Sequence, residues 1–140
     1  MNMERLIKDL ERHEGLRTRM YKCTAGANTI GIGHNLDSRP ISERAAKVIL
    51  EDDIEVAIED IERGFGEDEF YRLPGKVQEA LVNMCFNMGI TRLMQFKNTL
   101  RLLKEERWAD AAIECLDSRW ANQVGGRAKE ISDMIATGDD

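Results

Sequence analysis

The sequence predicts an α+β chain that is mostly helical and built in two lobes. A small β-containing lobe and a helical lobe are joined by one long helix. Three observations predict this. An apolar stripe with helical spacing opens the chain, a β-branched and glycine-rich stretch over residues 17–36 changes the period, and from Ser42 onward the helical period returns. A single domain over 1–140 results, with about 13–40 as the small lobe, about 41–64 as the connecting helix and about 65–140 as the helical lobe. Helix 2–12 is expected to pack on the helical lobe.

Met3, Leu6, Ile7 and Leu10 fall at i, i+3, i+4 and i+7, which predicts the helix over about 2–12. Gly15 follows as its terminator and leaves Glu14 at or near the helix end. A carboxylate placed there meets the negative end of the helix dipole, which favours its protonated form. The run Thr29-Ile30-Gly31-Ile32-Gly33, with Met20-Tyr21 before it and the turn formers Ala25 to Asn28 between, predicts a hairpin or three short strands. One face of that run is apolar and the other nearly bare, so a ligand or a second backbone can approach closely.

Asp37-Ser38-Arg39-Pro40 predicts a turn, and Ser42 an N-cap. The helix that follows is expected to run to about Arg63 and stop at Gly64, roughly 33 Å at the standard rise. Leu50, Ile54, Ala57, Ile58 and Ile61 form its apolar face, and its many acidic residues a solvated one. Pro74 suits a first-turn position in a helix ended by Gly89, and short helices follow over 92–96, 98–105 and 108–117. Ser118 starts another turn, Gly125-Gly126 breaks the chain, and a last helix carries Ala128, Ile131, Met134 and Ile135. Met84, Cys85, Met88 and Cys115 read as core filling.

A net charge of −6 argues against a general nucleic-acid binder, which needs a basic face to replace counterions. It is also inconvenient for binding any anionic polymer, although a cleft can be locally positive in an acidic protein. Three cysteines, far apart and odd in number, predict reduced thiols and neither a disulfide framework nor a zinc site. No EF-hand spacing is present, and no metal or cofactor is expected. Neither a signal peptide nor a stretch of transmembrane length is evident.

Reactive groups crowd into His13 to Leu36: Glu14, Cys23 eight intervening residues later, Thr29 five after that, and His34 beyond the glycines. Glycoside hydrolysis needs an acid for the leaving oxygen and a second group that activates water or attacks the sugar. Glu14 can be the acid. Cys23 stands where a second carboxylate is expected; a thiol ionises near pH 8.5, and a neighbouring Glu14 is expected to raise that value. Thr29 can orient a water but cannot be the base unaided.

The segment HEGLRTRMYKCTAGANTIGIGH resembles the active-site segment of the phage-type lysozymes, glycoside hydrolase family 24, whose pattern is Glu, eight residues, Asp or Cys, five residues, Thr, then Gly-Ile-Gly-His. The run from Ala80 to Lys129 is similar to the C-terminal lobe of the T-even members. The resemblance implies a bilobed lysozyme fold and cleavage of the β-1,4 bond between N-acetylmuramic acid and N-acetylglucosamine in peptidoglycan, with inversion in the T-even member. It implies Glu14 as the general acid, Cys23 in place of the Asp that holds the attacking water, and Thr29 as the hydroxyl contacting it. His34 matches a structural histidine whose expected partner is Asp53, and Arg127 an arginine that approaches the acid. Phe86, Asn87, Thr99 and Glu114 fall at positions lining the sugar site.

Relative to the T-even members the stretch between Leu36 and Ile41 is shorter and the chain ends early, at Thr137-Gly138-Asp139-Asp140. Cysteine at the Asp position leaves the base, and inversion against retention, open. The resemblance implies a monomeric endolysin that accumulates in the host cytoplasm and reaches the wall once a separate pore-forming protein releases it, without inserting into the membrane itself. Three alternatives stand beside it: a non-catalytic peptidoglycan-binding relative, a redox-inhibited one, and a lytic transglycosylase, which can work with one acidic residue.

Overall fold

A computed structural model describes residues Met1–Gly138; Asp139 and Asp140, at the expected early C-terminus, lie outside the described residues. The fold is mostly helical, with a small β-sheet near the N-terminus and, among the described residues, only helices after it. The chain divides into two compact units, Met1–Val48 and the residues from Ile49 onward, and the boundary falls inside the long helix.

In the first unit, helix α1 runs Met3–Glu14. The Asn2 side chain caps its start by accepting from the Arg5 N–H at 3.0 Å. Gly15 closes it, donating to the Glu11 carbonyl at 2.9 Å. The helix starts one residue later and ends two residues later than 2–12, and Glu14 is its last residue, where the glycine signal places it.

Strands β1 (Arg17–Lys22), β2 (Asn28–Gly31) and β3 (His34–Asn35) form an antiparallel sheet in the order β1-β2-β3. Three short strands, rather than a single hairpin, is the outcome. Thr29 lies on the central strand, paired with Tyr21 on one side and Asn35 on the other, and is 3 % exposed. The turn after β3 ties back to the sheet. The Asp37 carboxylate accepts from the Asn28 backbone N–H at 2.9 Å and from its side-chain amide at 3.1 Å. In turn Asn35 Oδ1 accepts from the N–H groups of Asp37 and Ser38, each at 3.0 Å. Because charge-assisted bonds are the stronger kind, Asp37→Ala is expected to cost about 1–2 kcal/mol in stability. Urea denaturation of variant and wild type checks this, and an unchanged midpoint would remove Asp37 from the account.

Helix α2 spans Glu43–Ile61. Ser42 caps it as the sequence predicts, accepting from the Ala45 N–H at 3.0 Å. The predicted stop at Gly64 is wrong. The chain passes through a π-helical turn over Glu62–Gly66 into α3, Glu67–Arg72. Gly64 is a point of close packing: a Cβ there would lie 2.9 Å from Met94 Sδ. The wide turn sends Phe65 into the core, and the break falls at Gly66, whose φ of +115° only glycine adopts readily.

The remaining helices are α4 (Gly75–Met88), α5 (Ile90–Leu93), α6 (Lys97–Lys104), α7 (Trp108–Leu116), α8 (Arg119–Val124) and α9 (Gly126–Thr137). Pro74 stands one residue ahead of the first helical position, at the cap. Gly89 ends α4 and donates to the Cys85 carbonyl at 2.8 Å. Ser118 Oγ accepts from the Ala121 N–H at 3.1 Å and starts α8. In this unit α9 packs on α7 and α4, and α6 packs on α7. Leu81, Met84, Leu103, Cys115, Ile131 and Ile135 are fully buried there, so the sulfur-bearing residues fill the core as their periodicity predicts. Among the described residues no helix is long and apolar enough to cross a membrane.

Candidate active-site residues

The predicted reactive groups of the first unit lie around its sheet. Cys23 directly follows β1 and opens the loop into β2. Its N–H donates to the Ala27 carbonyl at 3.0 Å, and its carbonyl accepts from Gly26 at 2.8 Å. This tight loop turns backbone N–H groups toward the sulfur. Hydrogen bonds from Ala27 first, then Ala25, and more weakly from the Thr29 hydroxyl and Gly26, hold the Cys23 thiol below its ordinary pKa, against a smaller upward push from burial. The direction is opposite to that expected from a neighbouring Glu14, because loop backbone dominates. Thr29 Oγ1 also donates to the Ala27 carbonyl at 2.9 Å. Its single proton can therefore turn from that carbonyl to the sulfur when the thiol ionises. Cys23 and Thr29 are tied to one acceptor, the Ala27 carbonyl, through the Cys23 N–H and the Thr29 hydroxyl.

Glu14 is exposed at the end of α1, and its carboxyl lies against the turn joining β2 to β3. A Cβ placed on Gly33 would stand 2.9 Å from Glu14 Oε2 and 3.1 Å from its Cδ and Cγ. The bare face of the glycine run thus receives a side chain, where a ligand or a second backbone was expected. His34 Nε2 is 3.1 Å from the Arg39 carbonyl oxygen, which fixes the ring within the same unit. Its expected partner Asp53 is an exposed residue of the second unit.

In the second unit the four expected sugar-site residues fall into two groups. Thr99 and Glu114 line a cavity of about 390 Å³ with Trp120, Arg92, Lys97 and Arg119. Asn87 joins this group by accepting from Trp120 Nε1 at 2.7 Å. Phe86 lies apart, lining an apolar groove of about 640 Å³ with Asn83 and Arg127. Arg127 Nε donates to Asn83 Oδ1 at 2.9 Å. Sequence reasoning missed both Asn83 and Trp120. The i, i+4 spacing of Asn83 and Asn87 on α4 was the available signal for a polar edge on an apolar helix.

The overall acidity is unevenly spread. Residues 1–48 carry nine Lys and Arg against six Asp and Glu, a net +3, while 49–140 carry eleven against twenty, a net −9. The unit holding Glu14, Cys23 and Thr29 is therefore positive, which eases the conflict between total charge and an anionic polymer. Among the described residues no group of three or more His, Cys, Asp or Glu side chains could hold a metal.

The first unit thus carries an exposed carboxyl at a helix end and a thiol and a hydroxyl beside its central strand. The phage lysozyme family matches residues 11–134, and the chain belongs to that family of hydrolases. Two relatives in Dictyostelium discoideum, probable T4-type lysozymes 1 and 2, are each 31% identical over 160 aligned residues, covering 94% of this chain and 94% of theirs. The pre-baseplate central spike protein Gp5 of Enterobacteria phage T4 is 28% identical over 155 residues, covering 92% of this chain but 27% of that protein.

Proposed function

We propose that this chain is an endolysin that hydrolyses the β-1,4 bond between N-acetylmuramic acid and N-acetylglucosamine in bacterial peptidoglycan. The observation that carries the reading is the placing of Cys23 and Thr29 on one carbonyl, that of Ala27, in a loop whose N–H groups lower the Cys23 pKa. A thiolate with a movable hydroxyl beside it can hold a water and take its proton, the task a second carboxylate performs elsewhere. Glu14 serves as the general acid for the leaving oxygen. Phe86, Asn87, Thr99 and Glu114 contact the glycan, and Arg127, held by Asn83, lies beside Phe86 in the apolar groove. His34 supports the fold through the Arg39 carbonyl. The enzyme acts as a monomer without cofactor, accumulates in the host cytoplasm, and meets the wall after a separate pore-forming protein opens the way.

Purified peptidoglycan digested with the protein is expected to yield reducing muramic ends. Mass spectrometry of the fragments decides between reactions, since an anhydro-muramyl product weighs one water less and would make the protein a lytic transglycosylase. Absence of any cleavage, with retained binding to the wall, would favour the second reading that Cys23 motivates: a peptidoglycan-binding relative that is non-catalytic or held inactive by oxidation.

A further inference from the structure

We infer that Gly33 is a positioning residue for Glu14: the missing side chain at this turn leaves the space in which the Glu14 carboxyl sits. The inference rests on the reading of Glu14 as the acid, and it adds a determinant outside the Glu14, Cys23, Thr29 set. Three distances carry it. A Cβ at Gly33 would come within 2.9 Å of Oε2 and 3.1 Å of both Cδ and Cγ of Glu14. The tightest of these is closer than real Cβ atoms come, so one partner must move. Glu14 is the one that yields, since it ends a flexible side chain at the last residue of α1 whereas Gly33 is fixed between two paired strands. An added methyl would therefore displace the carboxyl and leave the hairpin in place. A displacement near 1 Å at a reacting group costs about 10²-fold in rate.

The same turn supplies a control for backbone strain. Gly31 has φ +71° and Gly33 φ +69°, so alanine is strained at both to the same degree. At Gly31, however, an added Cβ meets nothing within 4 Å. The two alanine variants differ in what the methyl touches.

The experiment compares Gly33→Ala, Gly31→Ala and wild type for kcat and KM on soluble peptidoglycan fragments, for Tm, and for the carboxyl carbon signal of Glu14 by NMR. Gly33→Ala is expected to lower kcat about 10²-fold with KM within about twofold, and to move the Glu14 signal. Gly31→Ala, with a similar loss of Tm, is expected to keep kcat and the signal. Should Gly33→Ala fail to fold, Gly33→Asn introduces the same Cβ in a residue that tolerates positive φ. Equal kcat losses in both glycine variants, or an unmoved Glu14 signal in the Gly33 variant, would overturn the inference. If Glu14→Gln kept full activity, the acid assignment would fail separately, and the carboxyl signal would still report whether Gly33 places that group.

Discussion

Glu14→Gln is expected to slow wall lysis by about 10² to 10⁴-fold, the range that a positioned general acid contributes. The substitution keeps the length of the side chain and its place against Gly33, and removes only the proton that the leaving oxygen needs. Because the residue is exposed at a helix end, folding is expected to change by no more than about 0.5 kcal/mol. Activity and stability thus separate, which they would not if Glu14 were a structural residue. Turbidity loss of a wall suspension, measured beside Tm, reads both at once. A variant that lyses at the wild-type rate would refute the assignment and leave the lysozyme family membership with another acid to find.

How much of this was legible in the sequence depends on whether the signal was local. Helix α1, the strands and the Ser42 cap follow from periodicity and from single capping residues, so they stood out in one sequence. Gly64 misled because a glycine after a helical run signals a stop, while here its small size serves the approach of Met94 and the stop lies at Gly66. The site was legible as a set of residue types and spacings, and the family resemblance attached roles to them. Its electrostatics were not. The direction of the Cys23 shift depends on how backbone N–H groups of the 25–27 loop aim at the sulfur, which no residue type announces. Grouping by position along the chain also failed to foresee that Thr99 and Glu114 share one cavity while Phe86 lines another. Cavity walls come from helices far apart in sequence, and tertiary packing alone decides which residues meet.

Removing the thiol is expected to cost about 10² to 10³-fold in activity, with Cys23→Ala as the test and Cys23→Asp as its counterpart. In the proposed mechanism the working form of Cys23 is the thiolate. A pKa below the ordinary value means that this form persists to lower pH than in an unfolded chain, and that activity falls as pH drops through the folded value. The same sign holds for stability: the contribution is fully present above the unfolded pKa and is lost as pH falls through the folded one. Aspartate ionises near pH 3.9, so Cys23→Asp is expected to keep activity and extend it to more acidic conditions. Hydrogen peroxide should separate the two further. It converts the thiolate to a sulfenate with release of water, silencing wild type until a thiol reductant restores it and leaving Cys23→Asp untouched. The other two cysteines do not confuse the result. Burial pushes the Cys85 thiol up, and Cys115, fully buried, is pushed up to about 11, so neither reacts readily in the folded state. Full activity of Cys23→Ala would show that water is activated without the sulfur, and the mechanism would then rest on Glu14 and Thr29.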